Sequence, residues 1–428
     1  MVRELKHTEI GDIPVDWELQ TFDETFRVIS NNTLSRENLN NRGGAVRNIH
    51  YGDILTKFPE VLDCNEEEIP YVNELSLLSS STQLLQDGDI VVADTAEDET
   101  VGKVIEVQNL GDSKLVAGLH TIPCRVKKGN FTPGWLGYYM NSDLFHNQIL
   151  PYITGIKVSS ISKGAISETL ILVPPFDEQE KIVQSLNKIQ LLMTAETKVV
   201  NKIKLVKNGC LSKMFPQKDD TVPEMRLPGF TEAWEQRKVE GYASFLTGSG
   251  LSWDDISDDG EQECILYGNL YTDYGMITDK VIYKTKSQLK NPVYSEFGDV
   301  LIPASDTTPT GLARAISLEK TGVLLGGDIN IIRPNKDIDG SCLSLSLNAN
   351  KKELIRLIKG TTVRHIHNSE IKDIVVVLPT SKDEQRKISN YFKSIDNLIT
   401  LHQCKCDKYS NIKKGMMSDL FTGKIRLV

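Results

Sequence analysis

FDEQEKIVQSLNKI (Phe176–Ile189) and KLVKNGCLSKMF (Lys204–Phe215) return near the end of the chain as KDEQRKISNYFKSI (Lys382–Ile395) and SNIKKGMMSDLF (Ser410–Phe421). The displacement is 206 residues both times. Asp177, Glu178 and Gln179 match Asp383, Glu384 and Gln385, while Lys207, Gly209, Ser212 and Phe215 match Lys413, Gly415, Ser418 and Phe421. Residues 177–214 hold no proline and one glycine, and their apolar residues recur at helical spacing. Ile182, Leu186, Ile189, Met193, Val200, Ile203 and Met214 share one seven-residue repeat, and Ile388, Phe392, Ile395, Ile399, Tyr409, Met416 and Leu420 share its phase. Such steps of four and three mark a coiled-coil seam. Each helix is expected to run about 38 residues, roughly 55–57 Å at 1.5 Å per residue. The seam breaks at matched places, Glu196 and His402 in one series and Lys207 and Lys413 in the other. Polar seam positions either fix register or face a partner. If the helices pair antiparallel, Glu196 and His402 fall within about a helical turn of each other.

The parts before each helix also repeat, more weakly. Trp17-Glu18 answers Trp234-Glu235, and Ile49-His50-Tyr51-Gly52-Asp53-Ile54 answers Ile265-Leu266-Tyr267-Gly268-Asn269-Leu270. Gly88-Asp89 answers Gly298-Asp299, Gly118 answers Gly327, and Gly155-Ile156-Lys157-Val158 answers Gly360-Thr361-Thr362-Val363. The offset drifts from 217 to 205, so loop lengths differ while element order holds. One architecture thus carries two different surfaces, and a two-fold object suits a two-fold ligand such as duplex DNA.

Strand candidates are Asp89–Ala93, Lys103–Val107, Thr121–Val126, Thr169–Val173, Asp299–Pro303, Asn330–Arg333 and Asp373–Leu378, all short, β-branched and bounded by Gly, Asp or Pro. Trp135–Asn141 and Ser341–Leu347 read as short helices. Pro174-Pro175 and Pro379 end a strand before each Asp-Glu-Gln helix start, where acidic residues favour the positive helix end. The fold class expected is α+β, with two tandem mixed α/β domains, each followed by a long helix. The helices are expected to pack as an antiparallel coiled coil with pseudo-two-fold symmetry. The expected segments are a first domain (1–176), a central helix (177–215), a linker (216–229), a second domain (230–382) and a distal helix with its tail (383–428).

Charge divides along the same lines. Residues 1–176 carry 14 Lys and Arg against 25 Asp and Glu, and residues 219–382 carry 18 against 24. The helical segments are basic, 8 against 4 over 177–218 and 9 against 5 over 383–428. Phosphate contact needs cations, so either the basic residues of each acidic domain cluster or a partner supplies charge. The polar start MVRELKHTEIGDIP and the lack of an 18-residue apolar run point to a cytoplasmic protein. Cys64, Cys124, Cys210, Cys264, Cys342, Cys404 and Cys406 lack metal spacing and read as reduced thiols.

The two DEQ-initiated helices, the stretch PEMRLPGFTEAWEQRKV opening the second copy and FTGKIRL near the C-terminus together resemble the specificity subunit of type I restriction–modification systems. The resemblance covers essentially the whole chain. It implies a non-catalytic, DNA-binding defence protein whose target-recognition domains each read one half of a bipartite, asymmetric sequence. It further implies helices that separate those domains and dock two methyltransferase subunits, with a restriction (motor-nuclease) subunit joining the complex. AdoMet, ATP and Mg2+ are then expected on partner subunits, with no cofactor on this chain. The alternative is a coiled-coil scaffold or adaptor that does not read sequence.

Motifs agree with a recognition role. Val173-Pro174-Pro175-Phe176 lacks the polar first residue an adenine methyltransferase motif needs, and its counterpart Leu378-Pro379-Thr380-Ser381 loses the motif. No GxxxxGK[ST] loop is present, and Gly248-Ser249-Gly250 is a lone GxG. Arg364-His365-Ile366-His367 has no ligands at metal spacing. DNA contacts are expected from four pairs of polar loops at equivalent places. The first pairs Ser30 to Thr33, with Asn31, Asn32 and Arg36, against Thr247 to Gly250, with Ser249. The second pairs Asn48, His50 and Tyr51 against Tyr267 and Asn269. The third pairs Asp94 and Thr95 against Ser305, Asp306, Thr307 and Thr308. The fourth, favoured here, pairs Lys157, Ser159 and Ser160 against Thr361, Thr362, Arg364 and His365, offering donors and cations for phosphates and base edges. The acidic runs 65–68 and 254–261 are expected on solvated surface away from DNA.

Overall fold

The computed structural model describes residues 4–127, 129–155, 157–216, 220–306, 308–361 and 363–427. The chain forms two compact units, one made of Met1–Ala195 with Lys405–Val428, the other of Glu196–Cys404. Two long helices, a central one over Phe176–Met214 and a distal one over Lys382–Phe421, each contribute a part to both units. Among the described residues no helix is long and apolar enough to cross a membrane.

The first unit is built on a five-stranded sheet in the order Phe26–Val28, Thr121–Val126, Ile90–Ala93, Val104–Gln108, Val61–Asp63. Neighbours are antiparallel except the last pair, which is parallel. The second unit repeats this order with Ala243–Thr247, Ile329–Pro334, Asp299–Pro303, Ile316–Leu318 and Ile277–Thr278, again with only the last pair parallel. The middle strand is buried on both faces, which is why it reads as a continuous apolar run. Ile90 and Val92 pack with Trp135, Tyr138, Ile182 and Phe421, whereas Val91 and Ala93 pack with Ile49, Ile54, Leu115 and Ala117. In the second unit Val300 and Ile302 face the helical side and Leu301 the other.

The second layers differ at their edges. Four strands lie in the order Leu115–Ala117, Arg47–Ile49, Tyr71–Val72, Leu39–Asn40 in the first unit, against three in the second, Tyr283–Thr285, Gln262–Ile265, Leu324–Leu325. The predicted strands and short helices all occur, with ends shifted by a residue or two: Trp135–Tyr139 and Gly340–Ala349 are the helices. Leu170–Val173 pairs with Glu18–Thr21, and Val375–Leu378 with Glu235–Lys238, so the strand before each long helix returns to the start of its own copy.

The repeated motifs are explained by buried polar contacts. Gly88 and Gly298 adopt φ of 83° and 88°, and the following Asp89 and Asp299, 1% and 0% exposed, each take two hydrogen bonds from one guanidinium. The donors are Arg125, at 2.8 and 2.6 Å, and Arg333, at 2.9 and 2.8 Å. The Asp-Glu-Gln motif works at the helix start. Gln179 accepts from the amide of Thr132 at 3.0 Å and donates to the Pro174 carbonyl at 2.9 Å, and Gln385 does the same with Asp339 and Pro379 at 2.7 and 2.8 Å. The neighbouring glutamates, both 2% exposed at the side chain, meet a tryptophan and an arginine. Trp17 Nε1 donates to Glu178 at 2.9 Å, and Arg426 donates at 2.6 and 2.7 Å. Trp234 Nε1 donates to Glu384 at 3.2 Å, and Arg226 at 2.7 and 2.8 Å. Each guanidinium also lies over its tryptophan ring, 5.4 and 6.0 Å from the centroid.

Within each unit the two long helices run antiparallel. In the second unit Glu196 meets His402 at 2.5 Å and Lys207 meets Asp396 at 2.5 Å, so numbering rises on one helix as it falls on the other. In the first, Lys413 bonds Gln190 at 2.7 Å, and Ile182 shares a core with Phe421. The seam's polar breaks are therefore internal. Lys413, 5% exposed, also reaches Glu60 at 2.5 Å and lies over the Tyr138 ring.

Removing one partner of a buried ion pair strands the other, at a cost of about 3–5 kcal/mol. Arg426→Ala is therefore expected to destabilise the first unit and leave the second intact, with Arg226→Ala doing the reverse. Hydrogen exchange resolved by peptide checks this: loss of protection shared equally by both units would contradict it.

Candidate nucleic-acid interface

The fourth pair of loops forms the same glycine hairpin in both units. Thr154 and Ser160 exchange backbone hydrogen bonds at 3.0 and 2.8 Å, and Lys359 and His365 do so at 3.0 and 2.8 Å. Gly155 and Gly360 sit at φ of 115° and 107°, where a Cβ would lie 1.9 Å from the Val158 carbonyl oxygen and 2.3 Å from that of Val363. Only glycine permits this backbone. Lys157 and Thr361 are exposed beside it, with Val158 and Val363 each 50% exposed.

The third loop pairs with the hairpin. Thr95 and Ala96 lie opposite Ser160 and Ser159 in antiparallel register, and Ser305 and Asp306 lie opposite His365 and Arg364. In the first unit Thr95 Oγ1 approaches His120 Nδ1 at 3.3 Å, and His120 meets the Tyr51 ring edge-on at 5.2 Å. His50 lies against Tyr51 with ring centroids 4.7 Å apart and planes tilted by 33°, and its imidazole pKa is lowered, first by burial and then by Arg36. Asn31 Nδ2 donates to the carbonyls of Gly118 and Thr121 at 3.1 and 3.0 Å. In the second unit the Tyr271 hydroxyl bonds the Ser305 carbonyl, and Tyr267 meets Tyr271 edge-on at 6.2 Å. His365 Nδ1 lies 3.3 Å from Ser305 Oγ, and His365 stacks with His367. The Arg364 Nε is buried without a hydrogen-bond partner among the described residues. In the first unit four loops distant in sequence thus meet around His120, and in the second the Tyr267 and Ser305 loops meet the hairpin, so that hydroxyls and imidazoles, with Lys157 in the first, offer phosphate and base-edge contacts.

Several expected contact residues have other work. Asn32 and Asn269 are buried, 3% and 0% exposed, and are core residues. Asn32 bonds Asn48 and the Ala117 carbonyl, while Asn269 accepts from the Leu266 amide and donates to Asp273. A buried amide must satisfy its own polar atoms, so these asparagines fix the loops from within. Arg36, 58% exposed at the side chain, is positioned by Asp53 through two bonds at 2.6 and 2.8 Å. The Ser249 hydroxyl donates to the Leu325 carbonyl, and Thr308 donates to Asp306. Thr247 is exposed at a strand end. Thr307 and Thr362 lie outside the described residues.

One alignment shifts by a residue. Gly118 and Gly326, not Gly327, are equivalent, because each donates its amide to the matched carbonyl, Ile49 or Ile265, at 2.8 Å. The shift brings His120 opposite Asp328, two residues the loop comparison missed. Both hold φ of 55°, a left-handed conformation that costs a non-glycine residue about 1–2 kcal/mol. The Gly-Leu-His-Thr and Gly-Gly-Asp-Ile turns were the available signal, obscured by the one-residue slip. Arg364-His365-Ile366-His367 forms part of the hairpin ladder, and among the described residues no group of three His, Cys, Asp or Glu could hold a metal.

Comparison with known proteins agrees with this architecture. The family described as type I restriction modification DNA specificity domain matches residues 14–205 and again 232–408, so it occurs once in each copy. The chain is 25% identical, over 99% of its own length and 96% of the relative's, to a putative type I restriction enzyme MjaX specificity subunit from Methanocaldococcus jannaschii. It is 24% identical to the MjaVIII specificity subunit of the same organism over 64% of this chain and 66% of that one. Its fold is similar to a crystal structure of the S subunit from M. genitalium, with a TM-score of 0.53, 13% identity and coverage of 98% and 99% of the two chains. A chain from a structure addressing complex assembly and conformational transition of the type I R-M system gives a TM-score of 0.56 at 14% identity, covering 96% and 99%. With the matched domain present twice and covering most of the sequence, the chain belongs to the type I restriction–modification DNA specificity family.

Proposed function

We propose that this chain reads a bipartite, asymmetric DNA target, one half-site per unit. The observation that carries the reading is the repeated glycine hairpin, whose backbone register is the same in both units while its side chains differ. Ser160 lies opposite Thr95 where His365 lies opposite Ser305. A fixed frame with exchanged polar groups is what two different base sequences require, because direct readout depends on donor and acceptor patterns. Lys157, Ser159, Ser160, Thr361, Arg364 and His365 are the contacts we favour, with His50, Tyr51, Thr95 and Tyr267 beside them.

The long helices act in this proposal as spacer and docking surface for two methyltransferase subunits, through which the restriction subunit joins. Matched apolar residues remain exposed on them: Leu192 and Leu398 at 44% and 47%, and Val206 and Ile412 at 49% and 38%. A doubled apolar surface suits two copies of one partner. The chain itself contributes recognition without chemistry, and AdoMet, ATP and Mg2+ are bound by the partners, which also supply much of the cationic charge that the acidic units lack.

Domain exchange tests independent reading. Replacing residues 20–165 by the matching region of a relative is expected to change one half of the methylated sequence, measured by single-molecule sequencing of host DNA. A change in both halves, or in neither, sinks the proposal. In a gel shift with the methyltransferase subunits and AdoMet present, retention without sequence preference would favour an adaptor instead.

The hairpin gives a second expectation. Arg364→Ala with His365→Ala should leave folding and methyltransferase association unchanged and relax one half-site, by about 1–3 kcal/mol per lost bidentate contact. A uniform loss of affinity with a shallower salt dependence would assign the pair to phosphates. Unchanged binding would remove the hairpin from the interface.

A further inference from the structure

Among the described residues three non-glycine residues hold positive φ: Asn109, His120 and Asp328. Asn109 is explained by its own fold contact, donating to Asp63 at 2.7 Å. The other two occupy one position in two copies. The His120 carbonyl accepts from the Asp94 amide at 3.1 Å, and the Asp328 carbonyl from the Ala304 amide at 2.7 Å. Each therefore sits at the root of the strand that pairs with the glycine hairpin. Glycine is the residue such a backbone favours. Both copies instead keep a side chain, exposed to solvent, outside the buried cores.

What those side chains offer is similar despite their different identities. The Asp328 carboxylate has no hydrogen-bond or ion-pair partner among the described residues. Its ionised form only accepts hydrogen bonds. His120 lies with Nδ1 3.5 Å from the Asp94 carboxylate and 3.3 Å from Thr95 Oγ1. A proton on Nδ1 facing that carboxylate leaves Nε2 of the neutral ring as an acceptor. A carboxylate is unfavourable beside phosphates. In the major groove the base groups that donate are the exocyclic amines, N4 of cytosine and N6 of adenine.

We propose that His120 and Asp328 are the matched specificity-determining residues of the two units, each accepting a hydrogen bond from the exocyclic amine of a cytosine or adenine in its own half-site. This rests on the DNA-reading role proposed above. The backbone strain is then the cost of projecting a side chain from a turn that glycine would otherwise fill, in keeping with the clustering of strained residues at functional sites.

The test uses the full chain assembled with its methyltransferase subunits, selecting from a duplex DNA library with a randomised region and sequencing what is retained. Wild-type complex that selects no sequence would overturn the DNA-reading role itself. Given selection, Asp328→Gly is expected to weaken the preference for an amine-bearing base by about tenfold at one position of one half-site. The other half should be unchanged, and the melting temperature of the protein should rise. His120→Gly should do the same in the other half-site. Asp328→Asn removes the charge but keeps an acceptor, so it should retain an amine-bearing base, with adenine favoured. Glycine variants that keep the wild-type preference would overturn the inference while leaving DNA reading intact. So would an Asp328→Asn variant indistinguishable from Asp328→Gly, since the effect would then be one of charge alone.

Discussion

The structure depends on a carboxylate that has been taken out of water at the start of each long helix. Glu178 and Glu384 are almost inaccessible, and an isolated ionised carboxylate in such a place is costly. Each is held by a bidentate guanidinium and a tryptophan indole, with the guanidinium stacked on the indole face. Three separate stretches of chain must therefore meet at one pair of oxygens: the Trp-Glu segment that opens a copy, the Asp-Glu-Gln segment that starts its helix, and an arginine from elsewhere. Helix direction, strand pairing and domain closure follow from that meeting, because Glu18–Thr21 and Glu235–Lys238 pair with the strands that lead into the helices.

The source of the arginine differs between the units, and this makes the repeat circular. In the second unit Arg226 comes from the stretch just before Trp234. In the first, Arg426, separated by 410 residues from its other partner Asp16, supplies it. Arg226-Leu227 after the central helix and Arg426-Leu427 after the distal helix thus play the same part. Closing so long a loop costs entropy that grows only slowly with length, which a buried multidentate contact can offset.

Around this frame, each unit separates what is fixed from what varies. Asp89 with Arg125, Asp299 with Arg333, and the two hairpin glycines fix the backbone that carries the loops. The loops themselves exchange serine for histidine, histidine for aspartate, and a four-stranded for a three-stranded second layer. A rigid frame keeps side chains where small changes in donor or acceptor pattern alter recognition, which is the reason for placing such groups on short, tightly paired loops.

The doubling, the two long helices, their phase and the middle strands of each large sheet were legible in the sequence, because helical and strand periods and the proline stops are local properties of the chain. The glycines at 155 and 360 marked a pair of equivalent polar loops for the same reason, and the structure makes those loops hairpins. Sequence also exposed Glu178, Gln179, Glu384 and Gln385 as repeated, without showing why. Tertiary structure alone decided that these residues are buried anchors, that the last part of each helix packs in the unit of the other copy, and that Lys207, Lys413, Glu196 and His402 find partners inside the units. It also decided that Asn32 and Asn269 are core residues while His120 and Asp328 stand at the surface. Asparagine in a polar loop looks the same in sequence whether it faces water or a buried carbonyl. Which of the two it faces is fixed by contacts between residues far apart along the chain, and no local pattern records them.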